Sequence, residues 1–160
     1  MTAMPKTQQT KVWIYQSSTI FTSNQKNHIE QKLHDFVSNW SSHGDVVNGS
    51  FEIIEERFII VFANEEEVMV SGCSIDSSVK IIKELEQELG LSLLDKSNIA
   101  FQQAIGEIKL YQLSQIPEAV NSGEINLESI VFNNAISNGL DFESSWKVKA
   151  KDTWVKRYFK

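Results

Sequence analysis

The chain has 160 residues, 41% hydrophobic and 10% aromatic, enough to build a buried core and to exclude an intrinsically disordered protein. Its formal net charge of −6, with a pI near 5.1 and no run of basic residues, removes the electrostatic attraction on which nucleic-acid binding depends. A single cysteine excludes an internal disulfide and every paired-cysteine redox or metal motif.

Residues 1–10 lack an apolar segment of signal-peptide type, so no leader is expected. No apolar run approaches the roughly 18 residues of a membrane helix. A cytoplasmic protein is the expectation, and neither nucleic acid nor membrane is expected as a partner. Val12-Trp13-Ile14-Tyr15 reads as a first strand. From Asn24 the apolar residues Ile29, Leu33, Phe36, Val37 and Trp40 fall on one face of a helix, predicted over 24–43 and closed by Gly44. Ser50–Ile54 and Phe58–Ala63 are strands split by Glu55-Glu56-Arg57, a break short enough for a hairpin. Ser74 or Asp76 is expected to cap a second helix over 75–89, with Val79, Ile82, Leu85 and Leu89 inward and Gly90 behind its last turn.

Farther on, Asn98–Gln103 and Glu107–Leu113 suggest a hairpin about Ala104-Ile105-Gly106. A short helix with Ile116, Ala119 and Val120 stops at Ser122-Gly123, and Ile130-Val131-Phe132 precedes a polar break at Asn133-Asn134. The tail from Lys147 to Lys160 alternates lysines with apolar residues, the pattern of a strand with a solvated face. Residues 90–97 are the best boundary, dividing a core over 11–97 from a C-terminal module over 98–160 packed on it. The order β-α-β-β-α-β predicts an α+β fold with a ferredoxin-like βαββαβ core. One feature complicates it. Phe58–Ala63 is apolar on both pleat faces, so the second face needs cover, either from residues 98–160 or from a second copy in a homodimer.

The chemistry-bearing stretch is Gly72-Cys73-Ser74-Ile75-Asp76-Ser77-Ser78, at the joint between strand and second helix. A thiol there would meet free backbone N–H groups and the positive end of a helix dipole, which favours thiolate. Ferredoxin-like topology would bring Trp40 and His43 to the same sheet edge, making Cys73 and His43 a candidate nucleophile and base. Trp40, Ser74, Asp76 and Ser77 are the candidate ligand-binding residues beside them. A structural role competes at each position: a small hydrophobe at Cys73, a tight turn at Gly72, and helix capping at Ser74, Asp76 and Ser77. His28 and His34 lie off the apolar stripe, and Glu65-Glu66-Glu67 lacks calcium-loop spacing, so no metal site and no cofactor are expected.

Trp40-x-x-His43-Gly44, Arg57-Phe58-Ile59-Ile60-Val61, Ser71-Gly72-Cys73-Ser74-Ile75-Asp76-Ser77-Ser78-Val79, Ile130-Val131-Phe132-Asn133-Asn134 and Asp152-x-Trp154 together resemble a family of small bacterial proteins whose members often carry the label "ABC transporter ATPase". The resemblance spans nearly the whole chain and implies no activity. The label itself fails, because the nearest approach to a Walker A loop, Gly44-Asp45-Val46-Val47-Asn48-Gly49-Ser50-Phe51, has no phosphate-binding lysine. From Asn98 onward the chain is also similar to the small GYF-like modules, which implies a hairpin-helix appendage with a peptide-binding aromatic surface, although the glycine-tyrosine-phenylalanine signature is absent. The leading functional reading is a non-catalytic cytosolic binding or interaction protein whose partner is a protein or a small-molecule ligand. The alternative is a thiol-dependent enzyme or redox-responsive protein using Cys73 with His43.

Overall fold

The computed structural model describes residues 6–104 and 107–159, an α+β chain. It divides into two units, one made of the residues up to Leu94 together with Ala135–Glu143, the other of Asp95–Asn134 and Ser144 onward.

In the first unit, the β-branched and aromatic residues of Thr10–Gln16 form strand β1. Helix α1 (Ser23–Ser38) starts at Thr22, whose hydroxyl accepts from the Gln25 N–H while the Gln25 side chain accepts from the Thr22 N–H. It stops at Ser38, five residues short of the predicted end at 43, because the chain turns into a tight hairpin. That hairpin joins β2 (Ser41–Ser42) to β3 (Asp45–Val46), with His43 (φ 52°) and Gly44 (φ 85°) as its two central residues. Gly44 therefore serves the turn and does not close the helix.

Strands β4 (Asn48–Ile54) and β5 (Phe58–Asn64) form the predicted hairpin, its turn closed by the Arg57 N–H on the Ile54 carbonyl at 3.1 Å. Glu55 and Glu56 both sit at positive φ (57° and 51°), where Asn-Gly would be unstrained. Glu56→Gly is expected to raise stability by about 1 kcal/mol, read from the denaturation midpoint; an unchanged midpoint would mean that the turn stores no strain.

Helix α2 (Gly72–Leu89) begins at Ser71, whose hydroxyl accepts from the Ser74 N–H at 3.2 Å, and ends at Gly90 in the left-handed region. Neither Ser74 nor Asp76 is the cap, since the helix starts three residues before 75. Gly72 is an ordinary first-turn residue at negative φ, with no atom within 4 Å of the position its β-carbon would take.

The first sheet has the order β1-β5-β4, all antiparallel, with Trp13 and Phe51 both opposite Val61. Both helices share one face of it: Ile29 and Leu33 from α1, Ile82 and Leu85 from α2 and Ile59, Val61 and Ala63 from β5 form one buried core, with Phe36 packed against it. Lys32 ties the two helices together across their exposed side, reaching Glu84 at 3.2 Å and Glu88 at 2.6 Å. β5 is buried at every position, as its two-sided apolar pattern requires. On the face away from the helices, Phe62 meets Phe142 edge-on at 5.4 Å, and Lys6 lies over the Phe62 ring at 5.2 Å. Phe142 arrives with residues 135–143, which run beside β1: Asn138 bridges Lys11, and the Val12 N–H donates to the Ser137 carbonyl at 3.0 Å. Gly139 passes so close that a β-carbon would stand 2.7 Å from the Thr7 carbonyl oxygen.

In the second unit, β6 (Asn98–Ala104) and β7 (Glu107–Gln112) pair as predicted, although Ile105 and Gly106 of the expected turn lie outside the described residues. Helix α3 (Ile116–Asn121) follows with Pro117 in its first turn, then β8 (Ile130–Phe132); after α4 (Gly139–Ser145), which begins in the first unit with residues 135–143, comes β9 (Lys147–Lys149). The sheet order is β7-β6-β8-β9. Its core gathers Phe101, Tyr111, Ile116, Ile125, Val131 and Val155.

A ferredoxin-like sandwich would place the strand after α2 beside β1. Here that strand is β6, and it pairs with β7 and β8, so the first sheet keeps the βαββα order without a closing strand. The tail is corrected as well: only Lys147–Lys149 is strand, followed by 3-10 turns at Ala150–Asp152 and Trp154–Tyr158.

Glu128 sits between Lys149 (2.8 Å) and Lys151 (2.9 Å), whose ammonium groups hold its carboxyl at about 2, well below the ordinary 4.5. A carboxyl with a depressed folded value stabilises above its unfolded pKa and loses that contribution as pH falls. The wild-type chain is therefore expected to lose stability between pH 4.5 and about 2 more steeply than Glu128→Gln; parallel acid-denaturation curves would refute it.

Candidate functional site

Two places concentrate chemistry, one in each unit. The first is the start of α2. Trp40 is buried and donates its indole N–H to the Ser74 carbonyl at 3.0 Å, while packing on Phe36 and Trp13 with ring centroids at 4.9 and 6.0 Å. Ser74 is also buried, and its hydroxyl donates to the Ser41 carbonyl at 2.6 Å. The Ser71 N–H donates to the Ser42 hydroxyl at 3.2 Å. Trp40 and Ser74 thus fasten the helix start to the β2 segment, and their polar groups are used in doing so.

The remaining residues predicted for that site face solvent. Cys73 is exposed in the first turn of α2, and the Ser77 hydroxyl donates to its backbone carbonyl at 3.0 Å. Asp76 is exposed, and His43 is exposed at the tip of the β2–β3 hairpin. No hydrogen bond joins Cys73 to His43 among the described residues. His43 has a sufficient local reason for its place, since the hairpin needs two residues at positive φ and His43-Gly44 supplies them. Among the described residues, no group of three or more histidine, cysteine or acidic side chains could hold a metal ion. No described helix is long and apolar enough to cross a membrane.

The second place is a groove of about 530 Å³ in the second unit, lined by Lys96, Ser97, Ile99, Gln112, Leu113, Ser114, Trp154 and Arg157. Its floor is where β6 begins and β7 ends, and its wall is the 3-10 turn at Trp154–Tyr158. That turn is set by Thr153, whose hydroxyl accepts from the Val155 N–H at 3.1 Å, and by Val155, fully buried in the core. Burying Val155 turns the Trp154 ring outward, leaving it 39% exposed, and Leu113 is 49% exposed. The Arg157 guanidinium lies 5.4 Å from the Trp154 ring and 5.2 Å from Tyr158, and it donates to the Tyr158 hydroxyl at 3.4 Å.

Sequence reading did not single out Lys96, Leu113 or Arg157. The aromatic-rich tail was the available signal, but a strand reading of Lys147–Lys160 spaces Trp154 and Arg157 on opposite faces. A 3-10 turn of three residues per turn brings them onto one. Comparison with protein-family models, with curated proteins and with solved structures found no match.

Proposed function

We propose that this is a non-catalytic cytosolic binding module that recognises its partner through the Trp154 groove, on a ferredoxin-like arrangement lacking its closing strand joined to a small hairpin-helix module. The observation that carries this reading is the outward Trp154 ring held in an open groove beside a stacked guanidinium. Aromatic and arginine side chains presented in this way are the residue types on which recognition energy concentrates. An open groove of this size suits a segment of polypeptide better than an enclosed small molecule. Selection from a random-peptide display library on the whole chain is expected to enrich clones that no longer bind when Trp154 is replaced by alanine. Clones that bind the Trp154→Ala chain equally well would overturn the reading.

A second reading, thiol chemistry at Cys73, draws on the thiol's exposure in the first turn of an 18-residue helix, where the dipole favours an anion. It requires that iodoacetamide alkylate Cys73 at neutral pH faster than it alkylates a free small-molecule thiol. Labelling no faster than that of the free thiol would leave Cys73 as an ordinary surface thiol.

A further inference from the structure

We propose that the Trp154 groove takes an acidic, extended peptide segment, with one large apolar side chain against Trp154 and Leu113 and flanking carboxylates on Arg157 and Lys96. The proposal rests on the binding reading above and names the chemistry of the partner.

The lining contains two cations, Lys96 and Arg157, and no carboxylate. Other lysines of the second unit already hold acids: Lys109 pairs with Glu124 at 3.3 Å, and Lys149 and Lys151 share Glu128. Lys96 and Arg157 have no acidic partner among the described residues. The nearest acid in sequence, Asp95, is folded back on its own loop, accepting from the Ser97 N–H at 2.9 Å. By sequence the second unit holds six acidic and eight basic residues, a net of +2, whereas the first holds fifteen acidic and seven basic, a net of −8. The chain is acidic as a whole, yet the unit carrying the groove is not. At physiological salt the screening length is about 8 Å, so a ligand in the groove responds chiefly to the charges lining it.

Geometry then selects the ligand's shape. Arg157 is held by two aromatic rings and a hydroxyl, so its planar fork is pre-organised and most of its five donors remain for a carboxylate. Beside that fork lie apolar surfaces that water wets poorly, the exposed parts of Trp154 and Leu113, with Ile99 of β6. A purely ionic ligand would leave them uncovered, and a purely apolar one would leave two cations unmatched. An acidic segment with one leucine, phenylalanine or tryptophan satisfies both. A nucleic-acid single strand, stacking a base on Trp154, is the competing occupant, but two lining cations make a short track for a phosphate backbone.

The test follows the Trp154 indole resonance of the whole 15N-labelled chain by NMR. The probes are nonapeptides of glutamate around one central leucine, phenylalanine or tryptophan; their lysine counterparts; a proline-rich nonapeptide; and a nine-nucleotide oligothymidylate. The acidic peptides are expected to shift that resonance saturably and to bind at least threefold more weakly as salt rises from 0.01 to 0.15 M. Arg157→Glu is expected to lose at least about tenfold in affinity for them, equivalent to about 1.4 kcal/mol, and to gain affinity for the lysine counterparts. If the proline-rich or lysine peptides bind at the same resonance as tightly as the acidic ones, the acidic occupant is overturned while the binding reading stands. Tighter binding of oligothymidylate would overturn it in favour of nucleic acid. If no probe moves the Trp154 indole at millimolar concentration, both fall.

Discussion

Replacing Phe62 with alanine is expected to lower the free energy of unfolding by about 3–5 kcal/mol. Phe62 is 1% exposed in the central strand of the first sheet, on the face turned away from α1 and α2. It is met there by Phe142 and by the Lys6 ammonium, which also approaches Glu143 at 3.5 Å. Truncation would open a cavity between the strand and residues 135–143 and would remove an edge-to-face ring pair worth about 0.5–1.5 kcal/mol beyond its area. Urea denaturation of the variant beside Ile20→Ala gives the contrast, because Ile20 is 58% exposed and its loss is expected to fall within about 0.5 kcal/mol. A Phe62→Ala chain less than 1 kcal/mol weaker than wild type would mean that the second face of the sheet is not packed as described.

Trp40→Ala is expected to cost a similar amount, about 3–5 kcal/mol, and Trp40→Phe about 1–3. The alanine variant loses the packing on Phe36 and Trp13 and the bond to the Ser74 carbonyl; phenylalanine keeps much of the packing and loses the bond. Trp40 also fills the space above Gly49, where a β-carbon would stand 2.7 Å from its ring. Because Trp40 and Ser74 fasten the start of α2, hydrogen exchange at residues 71–78 should accelerate in both variants, and more than at residues 82–89. Uniform acceleration along the helix would show that Trp40 supports the core without specifically holding the helix start.

Local structure was legible wherever a pattern is short-ranged. The stripe from Ile29 to Phe36 marked α1, the stripe through Ile82 and Leu85 marked α2, and the apolar run at Phe58–Ala63 announced a strand buried on both faces. Pairing was less legible, because the sequence of Asn98–Ala104 specifies a strand and says nothing of which edge it joins. Ser71, Ser74 and Asp76 are all good N-cap types, and the choice among them falls to the β2 segment, where Ser42 receives the Ser71 N–H and Ser41 receives the Ser74 hydroxyl. The β2–β3 hairpin has two-residue strands, too short for any periodicity, so His43 looked like the end of a helix when it is the tip of a turn. In the tail, three lysines at alternate positions imitate a strand, although Ala150 and Val155 turn the chain into the core through 3-10 geometry.

Residues 135–143 belong to the first unit, yet they are synthesised long after the rest of it. Phe62 waits for Phe142, and Lys11 waits for Asn138, contacts between residues half the chain or more apart. At a synthesis rate of about 5–20 residues per second, several seconds separate the emergence of β5 from that of its cover. During that interval a complete three-stranded sheet and both helices are available to fold, with the apolar side chains of Phe58, Ile60 and Phe62 turned toward solvent. A nascent chain stalled after Leu94 is therefore the species on which a chaperone that recognises exposed aromatic and branched side chains would act. Release of the final segment, rather than the growth of the first sheet, would end its engagement.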